Sequence, residues 1–271
     1  FFENHAQGTF PREIVVVDNG SSPPIHIPER YTNRGVPIYL IQCHKPGPAS
    51  ARNAGCRVAH GLWFLFADSD CEPTESFILG YAAAMNGSIA YAGYVTSRGA
   101  DRLSRYYESQ DILVPPRVRE DRPQYLITAN ALVWRRAFEA VGGFDERYPL
   151  AGGEDVDLGF RLSQIGLLSY APTSVVRHNF SDGYGGFVRR FIRYGRGNRK
   201  LARDYRINLR PKPFIPVRQG VFNWCAALAQ FLCLSLGYWT ARPDMETPIR
   251  RMRIRRSSHQ PMRNVISGRS A

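Results

Sequence analysis

Cysteine is scarce: the 271 residues hold five, Cys43, Cys56, Cys71, Cys225 and Cys233, with no C-x-x-C pair. An odd, scattered set argues against a zinc site or a disulfide framework and favours a reducing compartment. Acids are also in deficit, 23 against 36 Lys and Arg, leaving a formal net charge of +13. Such a balance implies an anionic partner: nucleic acid, a phosphorylated substrate or an acidic membrane surface. No recognised nucleic-acid motif accompanies the charge, so no specific nucleic-acid partner is expected. The sequence carries no signal peptide at its start and does not begin with Met, which suggests a fragment or a processed product. With 44% hydrophobic and 22% charged residues, the composition is that of a globular protein holding one large domain or two modest ones.

What is present is organised around residues 62–70. An apolar run, Leu62-Trp63-Phe64-Leu65-Phe66, stops at Asp68 and Asp70. The run suits a strand covered on both faces. Side chains two apart on an extended segment point the same way, so the two carboxylates can face one ligand. Held that close they repel unless a cation lies beside them, and oxygen ligands suit Mg2+ or Mn2+. A solvated acidic turn is the plainer alternative.

Upstream, a β-branched strand over 13–17 ends at Asp18, and a second strand is expected over 36–41. A helix rich in small residues is expected over 49–60, and another begins at Pro73. Alternating strands and helices predict a mostly parallel sheet, with ligands beyond the carboxyl ends of its strands. Asp18 and the Asp68/Asp70 pair occupy that edge. Further on, a strand is expected over 125–133 and a short helix over 136–141. Gly152-Gly153 then precede a helix whose first turn carries Glu154, Asp155 and Asp157. The helix dipole favours those acids, and Asp157 pairs with Arg161 at i,i+4. Capping charge accounts well for Asp157 and less well for Glu154 and Asp155.

Four blocks in this order, VVVDNGSS (15–22), PASARNAG leading to FLFADSD (48–70), TANALVWRRAFEAVGGFDE (128–146) and GGEDVDLGFRLSQIG (152–166), resemble a family 2 glycosyltransferase of the GT-A fold. The resemblance covers roughly residues 10 to 200. It implies an α/β fold of GT-A type, with a mostly parallel central sheet flanked by helices. It also implies a first strand, ahead of 13–17, that this sequence does not contain; residues 1–10 resemble the exit of the helix after it. The resemblance implies an inverting, metal-dependent enzyme moving a sugar from a nucleotide-sugar donor to an acceptor hydroxyl. By it, Asp18 and Arg52 bind the donor's base, and Asp68 and Asp70 bind its ribose and the Mn2+ or Mg2+. Asp155, within the Glu154-Asp155 motif, is the catalytic base, and His178 is a further metal ligand. Taken alone, Arg52 reads equally as a helix-surface arginine and His178 as a hydrogen-bonded histidine.

From 183 onward the chain changes character. Phe187, Val188, Phe191, Ile192 and Tyr194 alternate with arginines at helical spacing, either a core stripe with a solvated face or a surface that meets phosphates. Residues 221–239 are apolar and just long enough to span a membrane, and arginines follow. A helix in the interface is preferred to a span, with a buried helix of the soluble domain as the alternative. The expected divisions are a GT-A domain over 1–182, a basic helical extension over 183–256 and a disordered tail over 257–271. The location expected is cytoplasmic, peripheral to or interfacial at the inner face of an anionic membrane. A non-catalytic nucleotide-sugar or glycan-binding module is the second functional reading.

Overall fold

The computed structural model describes residues 11–32, 35–119 and 122–241. The expectations for residues 1–10 and for the tail beyond 241 lie outside the described residues. Strand β1 (Ile14–Asp18) is followed by the one-turn α1 (Glu29–Thr32) and by β2 (Ile38–Gln42). Helix α2 (Pro48–Val58) starts on a proline, whose missing N–H costs nothing there. Gly55 lets it lie against β1, because a Cβ at that position would sit 3.1 Å from Val17 Cγ2. Strand β3 (Trp63–Ala67), β4 (Cys71–Pro73), α3 (Ser76–Ala84), β5 (Ala90–Ser97) and α4 (Arg102–Ser109) come next. A small ribbon of β6 (Arg117–Arg119) and β7 (Arg122–Pro123) precedes β8 (Asn130–Trp134), α5 (Arg135–Ala140), α6 (Glu154–Ile165) and β9 (Leu168–His178). Two long helices, α7 (Gly183–Tyr205) and α8 (Val221–Thr240), complete the described chain.

The α/β class holds, and strand direction corrects the expectation of a mostly parallel sheet. β1 and β2 form a parallel pair of their own. The five-stranded sheet runs β3-β8-β5-β9-β4, and only β5 and β9 are parallel in it. The short β8 returns directly between β3 and β5, so both of its ladders are antiparallel. Among the described residues β1 and β3 each have one edge without a strand partner, and residues of both line one cleft.

β3 confirms the two-faced strand. Phe64 and Phe66 pack with Phe138 and Phe144 on one side, while Trp63 and Leu65 meet the other core, built on Tyr91, Tyr107 and Phe191. Pro73 ends β4 instead of starting a helix. β4 pairs with β9 so that Cys71 opposes His178. The strand expected over 125–133 is shorter, because residues 125–129 form a buried loop that drops Asn130 into a bulge. There the Asn130 amide donates to the carbonyls of Tyr94 (3.0 Å) and Ser174 (2.9 Å) and accepts from the Tyr81 hydroxyl (2.6 Å). Gly93 makes room for it, since any Cβ there would overlap that amide.

Most of the α7 stripe is core: Phe187, Phe191 and Tyr194 are buried with Tyr107 and Phe180, while Val188 is exposed. α8 is buried on one face only. Ala226, Ala227, Leu234 and Tyr238 are covered, and Gln230 accepts from the Tyr106 hydroxyl at 2.7 Å. Val221, Trp224, Leu228, Leu232, Leu236 and Trp239 form an exposed apolar stripe at helical spacing. The helix is long and apolar enough to cross a membrane, with 33% of its apolar window buried. α7 and α8 cross backbone to backbone at Gly195 and Gly237, where a Cβ would overlap the carbonyls of Leu234 and Ile192. Gly237→Ala should therefore cost about 1–3 kcal/mol by overpacking, read as a lower midpoint in a urea melt.

Candidate active site

The site grows from the ends of β1 and β3 and from the first turn of α6, which open on one cleft of about 1110 Å3. Part of that volume is the gap between the edges of β1 and β3. Asp68, Asp70, Glu154, Asp155 and His178 all line it, as do Arg52, Asp182, Arg190 and Arg193.

Asp18 does not. Its carboxylate turns back to accept the N–H of Ser21 (2.8 Å) and of Ile25 (3.2 Å), and the Ser21 bonds foremost hold it below its ordinary value. The neighbouring Asn19, Gly20 and Ser21 face the cleft instead. Asn19 ties this turn to the loop before α2, donating to the carbonyls of Cys43 (2.7 Å) and Lys45 (2.8 Å) and accepting from Gly47 (2.9 Å). Asp18 thus shapes the loop that the cleft meets.

Arg52, on α2, is no free surface group. One guanidinium nitrogen donates to Asp68 Oδ1 at 2.7 Å and another to Glu154 Oε1 at 2.9 Å. Burial alone would lower its affinity for the proton, but the charges of Asp68, Glu154 and Asp155 more than offset it and hold the group firmly cationic. This arginine joins the turn after β3 to the first turn of α6. Glu154 is buried, and its second oxygen accepts the Gly152 N–H at 2.6 Å. The glycine pair makes that possible, with φ of 126° at Gly152 and 108° at Gly153, values that side-chain-bearing residues rarely adopt.

Asp155 is the second acid of this turn that lines the cleft. One oxygen accepts its neighbour's N–H, from Val156, at 2.8 Å, and among the described residues the other accepts nothing. Burial foremost, then the charge of Glu154, pushes its carboxyl up to about 7, against the opposing pull of Arg52. Asp157 points elsewhere, into the interior, where it pairs with Arg161 as the spacing predicts (2.6 Å).

His178 closes β9. Its Nε2 lies 3.2 Å from Asp70 Oδ2, and its ring stacks on Phe180 at 4.3 Å. The ring is buried, and among the described residues its Nδ1 has no hydrogen-bond partner. Burial foremost lowers the imidazole below its ordinary value, with Arg190 adding to the shift and Asp70 opposing it. It is therefore held neutral, the form that ligates metals. Potential ligand atoms of Asp70, Cys71 and His178 all lie within 4.8 Å of one another. Of the expected metal set, the structure brings Asp70 and His178 together, while Asp68 is engaged by Arg52. Cys71 was missed: only its place across the β4–β9 ladder reveals it, and burial pushes its thiol up, which keeps it protonated. A neutral imidazole against a half-exposed carboxylate in a cleft fits a divalent cation with coordination positions left open. Asp182 was missed too; nothing at the head of a glycine-rich helix marked it out.

This is a mixed α/β fold with an acid-lined cleft at the strand ends, and the chain belongs to the family described as Glycosyl transferase family 2, whose model matches residues 5–142, just over half of it. Glu154, Asp155 and His178 fall beyond that match. The pre-mycofactocin glycosyltransferase of Mycobacterium tuberculosis (strain ATCC 25618 / H37Rv) is 29% identical over 199 residues, 70% of this chain and 42% of that protein. Glycosyltransferase AglE of Haloferax volcanii is 24% identical over 215 residues, 74% of this chain and 68% of that protein. The chain thus spans less than half the length of the first of these relatives. Among solved structures, the mannosyltransferase PcManGT from Pyrobaculum calidifontis, in complex with GDP-Man and Mn2+, is similar in fold. Its TM-score is 0.50 at 16% identity, covering 85% of this chain and 66% of that one.

Proposed function

We propose that this chain transfers a sugar from a nucleotide-sugar donor to an acceptor hydroxyl, with inversion at the anomeric carbon and with a divalent cation, Mn2+ or Mg2+. The observation that carries the reading is Asp155: a carboxylate with a free oxygen, facing the same cleft as Asp70 and His178, with its proton affinity raised toward neutrality. A base so poised accepts the acceptor's proton as the hydroxyl attacks. Glu154 has both oxygens occupied by Arg52 and Gly152, so we assign it to positioning. Asp68, fixed by Arg52, presents its remaining oxygen to the donor, while Asp18 acts through the loop at Asn19 and Gly20. Asp70 and His178 would hold the cation, which when bound neutralises charge on the departing nucleoside diphosphate. The exposed stripe of α8 and the net charge support a place against the inner, anionic face of a membrane.

The test is calorimetric titration with UDP, GDP and dTDP, with and without Mn2+. One nucleotide should bind at least tenfold more tightly with the metal, and Asp70→Asn should abolish that difference. No metal-dependent nucleotide binding in the wild type would remove the basis of the reading.

A further inference from the structure

A second cavity, of about 420 Å3, lies on the other side of the loop at Gly152. Its wall from α7 is cationic: Arg193, Arg196, Arg199, Lys200 and Arg203 all line it, and among the described residues no carboxylate does. Lys200 is answered by Asp204 at 3.2 Å. Among the described residues none of the four arginines has a carboxylate within ion-pair distance. Arg199 is set over the rings of Tyr238 (5.1 Å) and Trp239 (5.8 Å), and the buried Nε of Arg193 has no hydrogen-bond partner among the described residues.

Like charges three and four residues apart on a helix destabilise it. A convex solvated face would dilute that repulsion, but these side chains converge on a concavity of ligand size. The cavity also adjoins the catalytic cleft, for Gly152 and Arg193 line both. The partition is one loop thick because Gly197 has no side chain; a Cβ there would overlap the Gly152 carbonyl. Asp155 follows three residues after Gly152.

We infer that the acceptor carries a phosphoryl or diphosphoryl group, which is bound in this second cavity and not transferred, while its hydroxyl reaches Asp155. Guanidinium forks match phosphate oxygens in pairs, and four without carboxylate partners among the described residues suit a multiply charged group. The inference rests on reading the main cleft as a transferase site. The phosphoryl group could belong to a soluble sugar phosphate or to a lipid. The exposed stripe of α8 ends at Trp239, beside Arg199 and next to the cavity's Thr240, so an apolar tail would find cover there.

The experiment is calorimetric titration of the full chain with inorganic pyrophosphate in EDTA, which silences cation-dependent binding in the main cleft. Saturable binding is expected, at least tenfold weaker in Arg196→Glu/Arg203→Glu and within twofold of wild type in Asp70→Asn. Should the charge-reversed protein melt early, Arg196→Gln/Arg203→Gln replaces it, with the same loss expected. Absence of binding, or binding untouched by these variants, overturns the inference. Metal-dependent nucleotide binding, measured on the same samples, separates this failure from failure of the transferase reading. A water-soluble short-chain prenyl diphosphate decides the source. Binding at least tenfold tighter than pyrophosphate, and lost in Leu232→Ser/Leu236→Ser, supports a lipid-linked acceptor; equal binding supports a soluble one.

Discussion

Asp155→Asn should lower sugar transfer by about 100- to 10,000-fold while leaving metal-dependent nucleotide binding within twofold of wild type. The amide keeps the shape of the carboxyl and removes its basicity, so what is lost belongs to the proton transfer. Wild-type turnover should rise as pH climbs through about 7, where Asp155 sheds its proton, and level off above it. The residual rate of the variant should lack that limb. Stability should move the opposite way. A carboxyl whose value rises from 3.8 unfolded to about 7 folded contributes most below pH 4, and that contribution is lost as pH rises through 7. The uncharged amide imitates the protonated form, so the variant should melt above wild type at pH 8 and level with it near pH 4. No turnover in either protein, with donor binding intact, would favour a binding module over an enzyme.

The same residue illustrates how much could be seen without coordinates. Two acids after a flexible glycine pair announced the α6 turn, because capping needs fewer charges than the turn carries. The Asp68/Asp70 pair announced itself by interrupting a buried strand. Strand direction was not visible: alternation and apolar runs report which faces are covered, and β8 is equally apolar whether it runs up or down. β5 and β9 escaped for a related reason. Tyr91-Ala92-Gly93 and Ala171-Pro172-Thr173 look like breakers, and the ladder does shift register between Gly93 and Tyr94. Arg52 was ambiguous until its two partners, one from β3's end and one from α6, were known. Asp18 was ambiguous because an aspartate at a strand end reads alike whether it faces a ligand or its own turn.

Arg161→Leu should be the most destabilising single change in this helix, by about 3–5 kcal/mol, because it strands a buried charge. Asp157 is fully buried and Arg161 nearly so, and the pair is 2.6 Å apart. Arg161 also donates to the carbonyls of Val141 (2.7 Å) and Gly143 (2.6 Å), and the Tyr205 hydroxyl donates to Asp157 Oδ1 at 2.5 Å. The network therefore pins α5's exit and the end of α7 to α6. Asp157→Leu should cost a similar amount. The double variant should fall well short of the sum, because replacing both ions removes the unpaired charge along with the pair. Urea melts of the four proteins measure this coupling directly; additive losses would show that the two residues do not act as a pair. Three acids in four positions would then have been separated by direction alone. Glu154 faces Arg52, as the positioning role proposed for it requires, Asp155 faces the cleft, as the proposed base must, and Asp157 faces inward and holds the helix that presents the other two.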